Sequence, residues 1–504
     1  MELTALLIDT VSNQEYIFSG NRLKENLGGS HLLKTAYEEP LKTALDKVAD
    51  GNAGIEAWHV LGDAVALEGG AEVGYIGGGN ALLFFDGTPR AIEFVREYSR
   101  ALLKTRPGLK VAFGIKSPFD MGSFRTAMES LHARLQTARN QSCPRTMPPR
   151  QGITAACPYS GEAMEAGRED KVRNTGASAL SYSRRSASDS SRDALTLAVQ
   201  DQLDDLCFTD ETGQFGQVDN KSYAAVVHAD GNDMGARFMD CSSLGELRSL
   251  STGVAESTNK AFSLLVGDAV RVVKKHLAED EGFLFNGRLP LRPVIIGGDD
   301  ITFVCEGRLG LYFAERFLKH IERASQEAGF KFTACAGVAI VKTKYPFFKA
   351  YQYSKELCSI AKKESRSHNG AGFLDFLISS GGYSGGIEQI RKRHFTAHKG
   401  IALHYGPYQC NGSGDDKSTA TLRNGIGQFL NKRKWSSAHV MRLRELLTGN
   451  ATQCRNFVTA NGLELPPIPG KANPVAQLGA STPYYDMLDA MDFYPQVLLE
   501  EVER

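Results

Sequence analysis

The chain has 504 residues, with 58 Lys and Arg against 58 Asp and Glu, and 51 glycines, a share above the ~7% norm. Zero formal net charge excludes a protein that coats nucleic acid through bulk positive potential, although a local basic groove is still allowed. A hydrophobic share of 42% with 23% charged residues marks a globular chain long enough for several domains. Nine cysteines, an odd number with no C-x-x-C pair, fit a reducing compartment. The start carries Glu2 rather than the basic opening of a signal peptide, and the longest nearly apolar stretch, 334–341, is far short of the ~20 residues that cross a bilayer. A soluble, cytoplasmic protein with no membrane partner is expected.

In chain order the elements read as one unit written twice. A strand at 3–8 ends at Asp9, helical periodicity covers 21–48, and Tyr75-Ile76-Gly77-Gly78-Gly79-Asn80 leads as a hairpin into a strand at 81–85. A helix at 90–104, a strand at 110–115 and a helix at 122–140 complete the first half. Residues 176–192, seven of them serine and with Arg184, Arg185 and Arg192 among them, read as a mobile loop. A strand at 223–229 then ends at Asp230, helical periodicity covers 244–278, and Gly297-Gly298-Asp299-Asp300 leads into a strand at 301–304. A helix at 309–328, a strand at 332–341 and a helix at 347–364 follow. Asp9 to Gly79 spans 70 positions and Asp230 to Asp299 spans 69, so the two halves share both order and spacing. The expected fold is α+β: two tandem ferredoxin-like βαββαβ domains at 1–140 and 221–376, an insert at 141–220, a Gly/Ser-rich linker at 379–386 and a mostly helical C-terminal domain at 386–504.

In this order the first and second strands run parallel with the third between them. Asp230 at the end of one strand and Asp299 and Asp300 at the hairpin tip are therefore expected to converge at one sheet edge. Clustered carboxylates repel one another unless a cation neutralises them, and hard oxygen ligands suit Mg²⁺ or Mn²⁺. Such a set serves two-metal phosphoryl or nucleotidyl transfer. Gly297 and Gly298 permit the tight turn and let a triphosphate approach the backbone, and Asn232 and Asp233 extend the site. The competing reading is an ordinary hairpin turn, which favours the same residue types. The matched Asp230 and the upstream duplicate weigh against it.

His228-Ala229-Asp230-Gly231-Asn232-Asp233-Met234-Gly235, the Gly297-Gly298-Asp299-Asp300 hairpin, the strand with Gly337-Val338-Ala339, Pro346 and Ala361-Lys362 resemble the palm domain of the large polymerase/cyclase subunit of type III CRISPR complexes. More distantly they are similar to GGDEF diguanylate cyclases. Val11 to Phe18 and Gly28-Gly29-Ser30-His31-Leu32-Leu33 resemble the first palm of the same family. The resemblance covers roughly 1–140 and 220–376. It implies two facing palms, two ATP molecules between them and metal-dependent joining into cyclic oligoadenylate messengers. It further implies Asp230, Asp299 and Asp300 as metal ligands, Lys362 on a phosphate and Ser30 near the second nucleotide. A helix-capping Ser30 and a merely exposed Lys362 remain as alternatives. The first half has Gly79-Asn80 where the second has Asp299-Asp300, so it is expected to bind a nucleotide without catalysing. No His-Asp nuclease domain is expected ahead of the first palm. Cys143 and Cys157 have no C-x-x-C partners, so bound zinc is not expected.

Residues 386–450 hold 11 Lys and Arg against four acids, with Trp435 beside Lys432-Arg433-Lys434. This segment, 391–434 above all, is either a surface for an RNA or protein activator or a solvated helix face. The expected activity is conversion of ATP or another NTP into a cyclic or linear oligonucleotide messenger in antiviral defence. A scaffold binding guide or target RNA beside other CRISPR subunits, a nucleotide sensor without turnover and a homodimer also remain open.

Overall fold

The computed structural model describes residues 2–18, 20, 22–50, 53–141, 152–165, 168–170, 175–218, 222–379, 381–397, 400–412, 415–449, 451–471 and 482–499. The first repeat runs β1 (Thr4–Val11), α1 (Asn13–Phe18), α2 (Leu23–Ala36), α3 (Glu39–Val48), β2 (Ala71–Gly77), β3 (Asn80–Phe85), α4 (Thr88–Thr105), β4 (Lys110–Lys116) and α5 (Phe124–Asn140). An insert comes next, with β5 (Glu169–Asp170), β6 (Thr175–Gly176), α6 (Ala179–Ala198) and α7 (Gln200–Leu203). The second repeat runs β7 (Tyr223–Gly231), α8 (Met234–Asp240), α9 (Leu244–Arg271), β8 (Leu291–Gly297), β9 (Asp300–Glu306), α10 (Gly310–Glu327), β10 (Ala334–Lys342) and α11 (Phe347–Ser367). The chain continues through β11 (Phe373–Ile378), α12 (Ile387–His394), β12 (Tyr408–Gln409), α13 (Thr419–Leu430), α14 (Ser437–Leu447), α15 (Ala451–Ala460) and α16 (Tyr484–Ala490).

The strand orders are β2-β3-β1-β4 in one sheet and β8-β9-β7-β10-β11-β12 in the other, so the first four positions repeat and both halves are ferredoxin-like. The strands are apolar runs because helices cover them: Ala5 to Ile8 and Ala81 to Phe85 are buried, as is β10 from Ala334 to Val341. The covering helices are amphipathic. On α4, Ala91, Phe94, Tyr98 and Leu102 recur every three or four residues on the buried side, and each large side chain contributes about 2 kcal/mol of burial. In both repeats a glycine in the last strand lets the following helix lie close. A Cβ on Gly114 would come within 2.9 Å of the Leu135 backbone nitrogen, and one on Gly337 would overlap the Ser354 carbonyl.

Two compact units emerge. One gathers Met1–Ala198, Asp233–Asn259 and Val294–Asp300; the other gathers Val199–Asn232, Lys260–Pro293 and Ile301–Arg504. In the first, α9 is fastened to the first repeat by a buried arginine. Arg248 is 1% exposed, pairs with Glu72 Oε1 at 2.9 Å and donates to the carbonyls of Gly62, Val73 and Gly74.

Two expectations are corrected. Residues 176–192, read as a mobile loop, lie largely in α6, which packs on α2. Serine's weak helix preference is overridden because small residues allow close approach: a Cβ on Gly28 would overlap the Arg184 carbonyl. Arg184 is 2% exposed, stacks 4.6 Å over Tyr16 and donates to the Tyr16 carbonyl. The C-terminal segment, expected to stand apart, extends the second sheet instead. β12 pairs antiparallel with β11, which pairs parallel with β10. The buried His404 clamps this extension, with Nε2 2.8 Å from Asp375 and Nδ1 3.0 Å from Asp486. Among the described residues no helix is long and apolar enough to cross a membrane.

Candidate nucleotide and metal site

The two hairpins differ in one backbone requirement. The turn between β2 and β3 places Gly78 and Gly79 at φ of 60° and 81°. The turn between β8 and β9 places Gly298 at 60°, and Asp299 lies outside the left-handed region. A turn that needs positive φ at both central residues selects glycine, and one that needs it only at the first admits aspartate. The tips meet within the first unit, where a Cβ on Gly298 would lie 3.7 Å from Gly78 Cα.

Two cavities of about 660 and 370 Å³ border this contact, and Gly78, Gly298 and Asp299 line both. The linings are related by the repeat. Asp9 and Asp230 stand 221 positions apart, as do Ser12 and Asp233, whose φ values of 58° and 56° agree. Shifted by the same 221 positions, Asn13, Gln14 and Ile17 of the smaller cavity become Met234, Gly235 and Phe238 of the larger. Ser30, Leu33, Lys34 and Glu38 likewise become Ser251, Val254, Ala255 and Asn259. Equivalent positions of the two repeats thus line the two cavities, with Ala255 and Asn259 bordering both, and the smaller one is polar and charged. The larger is more apolar and adds Trp58, Phe124 and His132. Thr258, 1% exposed, is on the wall of the smaller cavity and has an Oγ1 without a hydrogen-bond partner. An unsatisfied buried hydroxyl on a cavity wall is what a polar ligand relieves.

The strand-end aspartates are also duplicated, each with a cation. Asp9 Oδ2 lies 2.7 Å from Arg139 on α5, and burial pushes its carboxyl above the usual range against the pull of that arginine. Asp230 Oδ2 lies 2.6 Å from Lys362 Nζ on α11, which also donates to the Gly231 carbonyl at 2.8 Å. Each cation falls 15 residues after the phenylalanine that opens its helix, Phe124 or Phe347.

The site residues expected from sequence divide accordingly. Gly297, Gly298, Asp299, Asp300 and Ser30 line the smaller cavity. Ser30 is inside α2, whose N-cap is Arg22, so it does not cap the helix. Lys362 points at a strand end rather than at solvent. Asn232 lines neither cavity: it is 7% exposed, and its Nδ2 donates to Thr333 Oγ1 at 2.8 Å and to the Gly370 carbonyl. Among the described residues no three His, Cys, Asp or Glu side chains form a ready metal cage. Asp230 is paired with Lys362. The donors still suit Mg²⁺ or Mn²⁺. Asp230 Oδ2 and the Gly231 carbonyl already share one cation, and Mg²⁺ needs only one or two carboxylates with water and phosphate for the rest.

Sequence reasoning missed Arg139, Arg248, Ser251 and the aromatic wall of the larger cavity. The constant 221-residue shift carries Ser30 onto Ser251, and the shared 15-residue offset carries Lys362 onto Arg139. Nothing in the sequence announces Arg248, whose partners are backbone carbonyls far away in the chain.

The basic segment is partly internal. Arg391 pairs with the buried Asp375 at 2.7 Å, and Arg423 pairs with the buried Glu315. Trp435 is 1% exposed and donates to the Glu464 carbonyl, so it offers no stacking face. Lys432, Arg433 and Lys434 are exposed, and Lys399 lies outside the described residues. Cys143 also lies outside them, and Cys157 is a buried free thiol.

Two ferredoxin-like repeats joined at their glycine hairpins, with the acidic tip on the second alone, define a tandem-palm protein. Residues 223–370 match the family model described as Cas10/Cmr2, second palm domain, and the chain carries that palm. The fold also matches solved structures over 99% of this chain. Csm1 of T. onnurineus matches with TM-score 0.55 at 14% identity, over 69% of that chain. The Csm1-Csm4 cassette in complex with cA3 matches with TM-score 0.55 at 13% identity, over 69% of that chain, and the cassette with one ATP matches with 0.54 at 13%, over 70%. At these identities the likeness is one of fold. No curated protein matches the chain.

Proposed function

We propose that this chain is a metal-dependent nucleotidyltransferase that joins ATP, or another nucleoside triphosphate, into a cyclic or linear oligonucleotide messenger in prokaryotic antiviral defence. The observation that carries this reading is the pair of repeat-related cavities meeting at two hairpins, of which only one bears carboxylates. The cassette complexes with ATP and cA3 support it by fold, and a Csm4-like subunit is the corresponding candidate partner.

Each cavity takes one nucleotide, with Ser30 and Ser251 as matched polar contacts and the Gly77-Gly78 and Gly297-Gly298 backbones open to close approach. Holding the two substrates in fixed geometry makes a bimolecular joining effectively unimolecular. The 3′-hydroxyl oxygen of one nucleotide forms a bond to the α-phosphorus of the other, and its proton passes to water. The bridging P–O bond to the β-phosphate breaks, and pyrophosphate leaves with that electron pair. Asp230, Asp299 and Asp300 hold the divalent ion or ions. When bound, Mg²⁺ or Mn²⁺ lowers the pKa of the attacking hydroxyl and stabilises the leaving pyrophosphate. The first palm, with Gly79-Asn80, binds and orients its nucleotide.

The test is incubation with labelled ATP or GTP and Mn²⁺ or Mg²⁺, alone and with candidate RNA activators, followed by mass spectrometry. Oligonucleotide products that vanish in Asp299→Ala/Asp300→Ala are expected. Unconsumed nucleotide under every condition, or products unaffected by the double substitution, contradicts the proposal. Nucleotide retained intact and stoichiometrically identifies a sensor instead.

A further inference from the structure

On the metal-dependent reading, on which this inference rests, Lys362 acquires a role of its own. In the second palm an ammonium occupies the point where two hard oxygens converge. Lys362 Nζ lies 2.6 Å from Asp230 Oδ2 and 2.8 Å from the Gly231 carbonyl. In the first palm the equivalent helix position carries Arg139, with Nη1 2.7 Å from Asp9 Oδ2. The two cations have different chemistry. A guanidinium is a planar, permanently charged fork that holds a carboxylate through fixed geometry, whereas an ammonium is a compact point charge on a flexible four-carbon stem. The settings of the two carboxylates differ in the same sense, the Asp9 side chain being 15% exposed and that of Asp230 33%, while the cations run the other way, Arg139 at 37% and Lys362 at 22%. The neighbouring strand differs too, since Asp9 stands in register with Asn80, which has no charge to offer a metal.

We propose that Lys362 is an exchangeable placeholder for the divalent ion. It neutralises Asp230 in the metal-free protein and leaves that carboxylate when the ion binds. Arg139 is its fixed counterpart and keeps Asp9 from recruiting a metal to the first palm. Lys362 is thereby a positioning residue in the metal-free state. Coupling its release to ion entry keeps Asp230 from standing as an uncompensated charge at any stage.

The test is Mn²⁺ binding to the full chain without nucleotide, read by the paramagnetic resonance of free Mn²⁺. Lys362→Met removes the competitor and is expected to bind Mn²⁺ about fivefold more tightly than the parent, the scale of a partly exposed ion pair. Lys362→Arg installs the fixed fork of the first palm and is expected to bind it more weakly than the parent. With α,β-methylene-ATP present, the same order of Mn²⁺ affinities is expected. Misfolding does not tighten Mn²⁺ binding in one variant and weaken it in the other. Equal Mn²⁺ affinity in all three proteins, or weaker binding by Lys362→Met, overturns the placeholder and leaves the metal-dependent reading intact. Absence of Mn²⁺ binding in all three, with and without the analogue, overturns both.

Discussion

The two palms share a frame and diverge at a handful of atoms. Both have the same strand order, a glycine that draws the last helix onto the sheet, an aspartate at the end of the first strand and a cation fifteen residues into the closing helix. They part at the hairpin. Gly79 at φ 81° excludes a side chain at low cost, and Asn80 is neutral, whereas the second turn presents Asp299 and Asp300. They part again at the cation, Arg139 against Lys362. The repeat supplies two cavities, and on the proposed reading a few residue differences make one palm the holder of a substrate and the other the catalyst.

That comparison can be broken at several points. The largest effect is expected from Asp299→Asn with Asp300→Asn, which should lower turnover of labelled nucleotide by roughly 10³-fold or more. Asn80→Asp should change it by less than about threefold. Comparable losses from both sides would make the palms equals. Next is Arg248→Met, which has no counterpart in the first repeat because Leu27 stands 221 positions earlier. It removes the buried donor of Glu72 Oε1 and of three carbonyls and should cost about 3–5 kcal/mol of stability by urea unfolding.

A third test uses pH and falls on the extension that only the second sheet has. Burial alone pushes the His404 imidazole down, but Asp486 and Asp375 hold it up at about 9. A group raised in the folded state contributes its full share below its unfolded value of about 6.5 and loses it as pH rises through about 9. Protection factors in β11 and β12 should therefore fall between pH 7 and 9.5 by an amount worth roughly 2.5 kcal/mol, while those in β3 hold. His404→Gln should flatten that dependence. The smallest effect is expected from Gly79→Asp, which forces a carboxylate-bearing residue into positive φ and should cost about 1–2 kcal/mol. Asp299→Gly should cost little stability while removing activity.

Much of this was legible in the sequence. Hydrophobic periodicity and the 70- and 69-residue spacings give both βαββαβ units because local pattern and fold agree there. The acidic hairpin was legible as a turn because Gly-Gly-Asp-Asp between two apolar runs is the composition that a tight turn favours. Residues 176–192 misled because serine content reports local preference, while α6 is set by its contact with Gly28 and by the burial of Arg184. The basic segment misled for a related reason. A count of charges does not say which are paired inside, as Arg391 and Arg423 are. Arg248 was invisible because its carbonyl partners lie about 175 residues or more away in sequence.

The central claim is that the repeat-related cavities each hold a nucleotide, and stoichiometry tests it most directly. Calorimetric titration of the full chain with α,β-methylene-ATP and Mg²⁺ should give two molecules per chain. Ser30→Trp, filling the smaller cavity, and Ser251→Trp, filling the larger, should each give one. A single site in the parent protein, or two sites that survive both substitutions, would contradict the account.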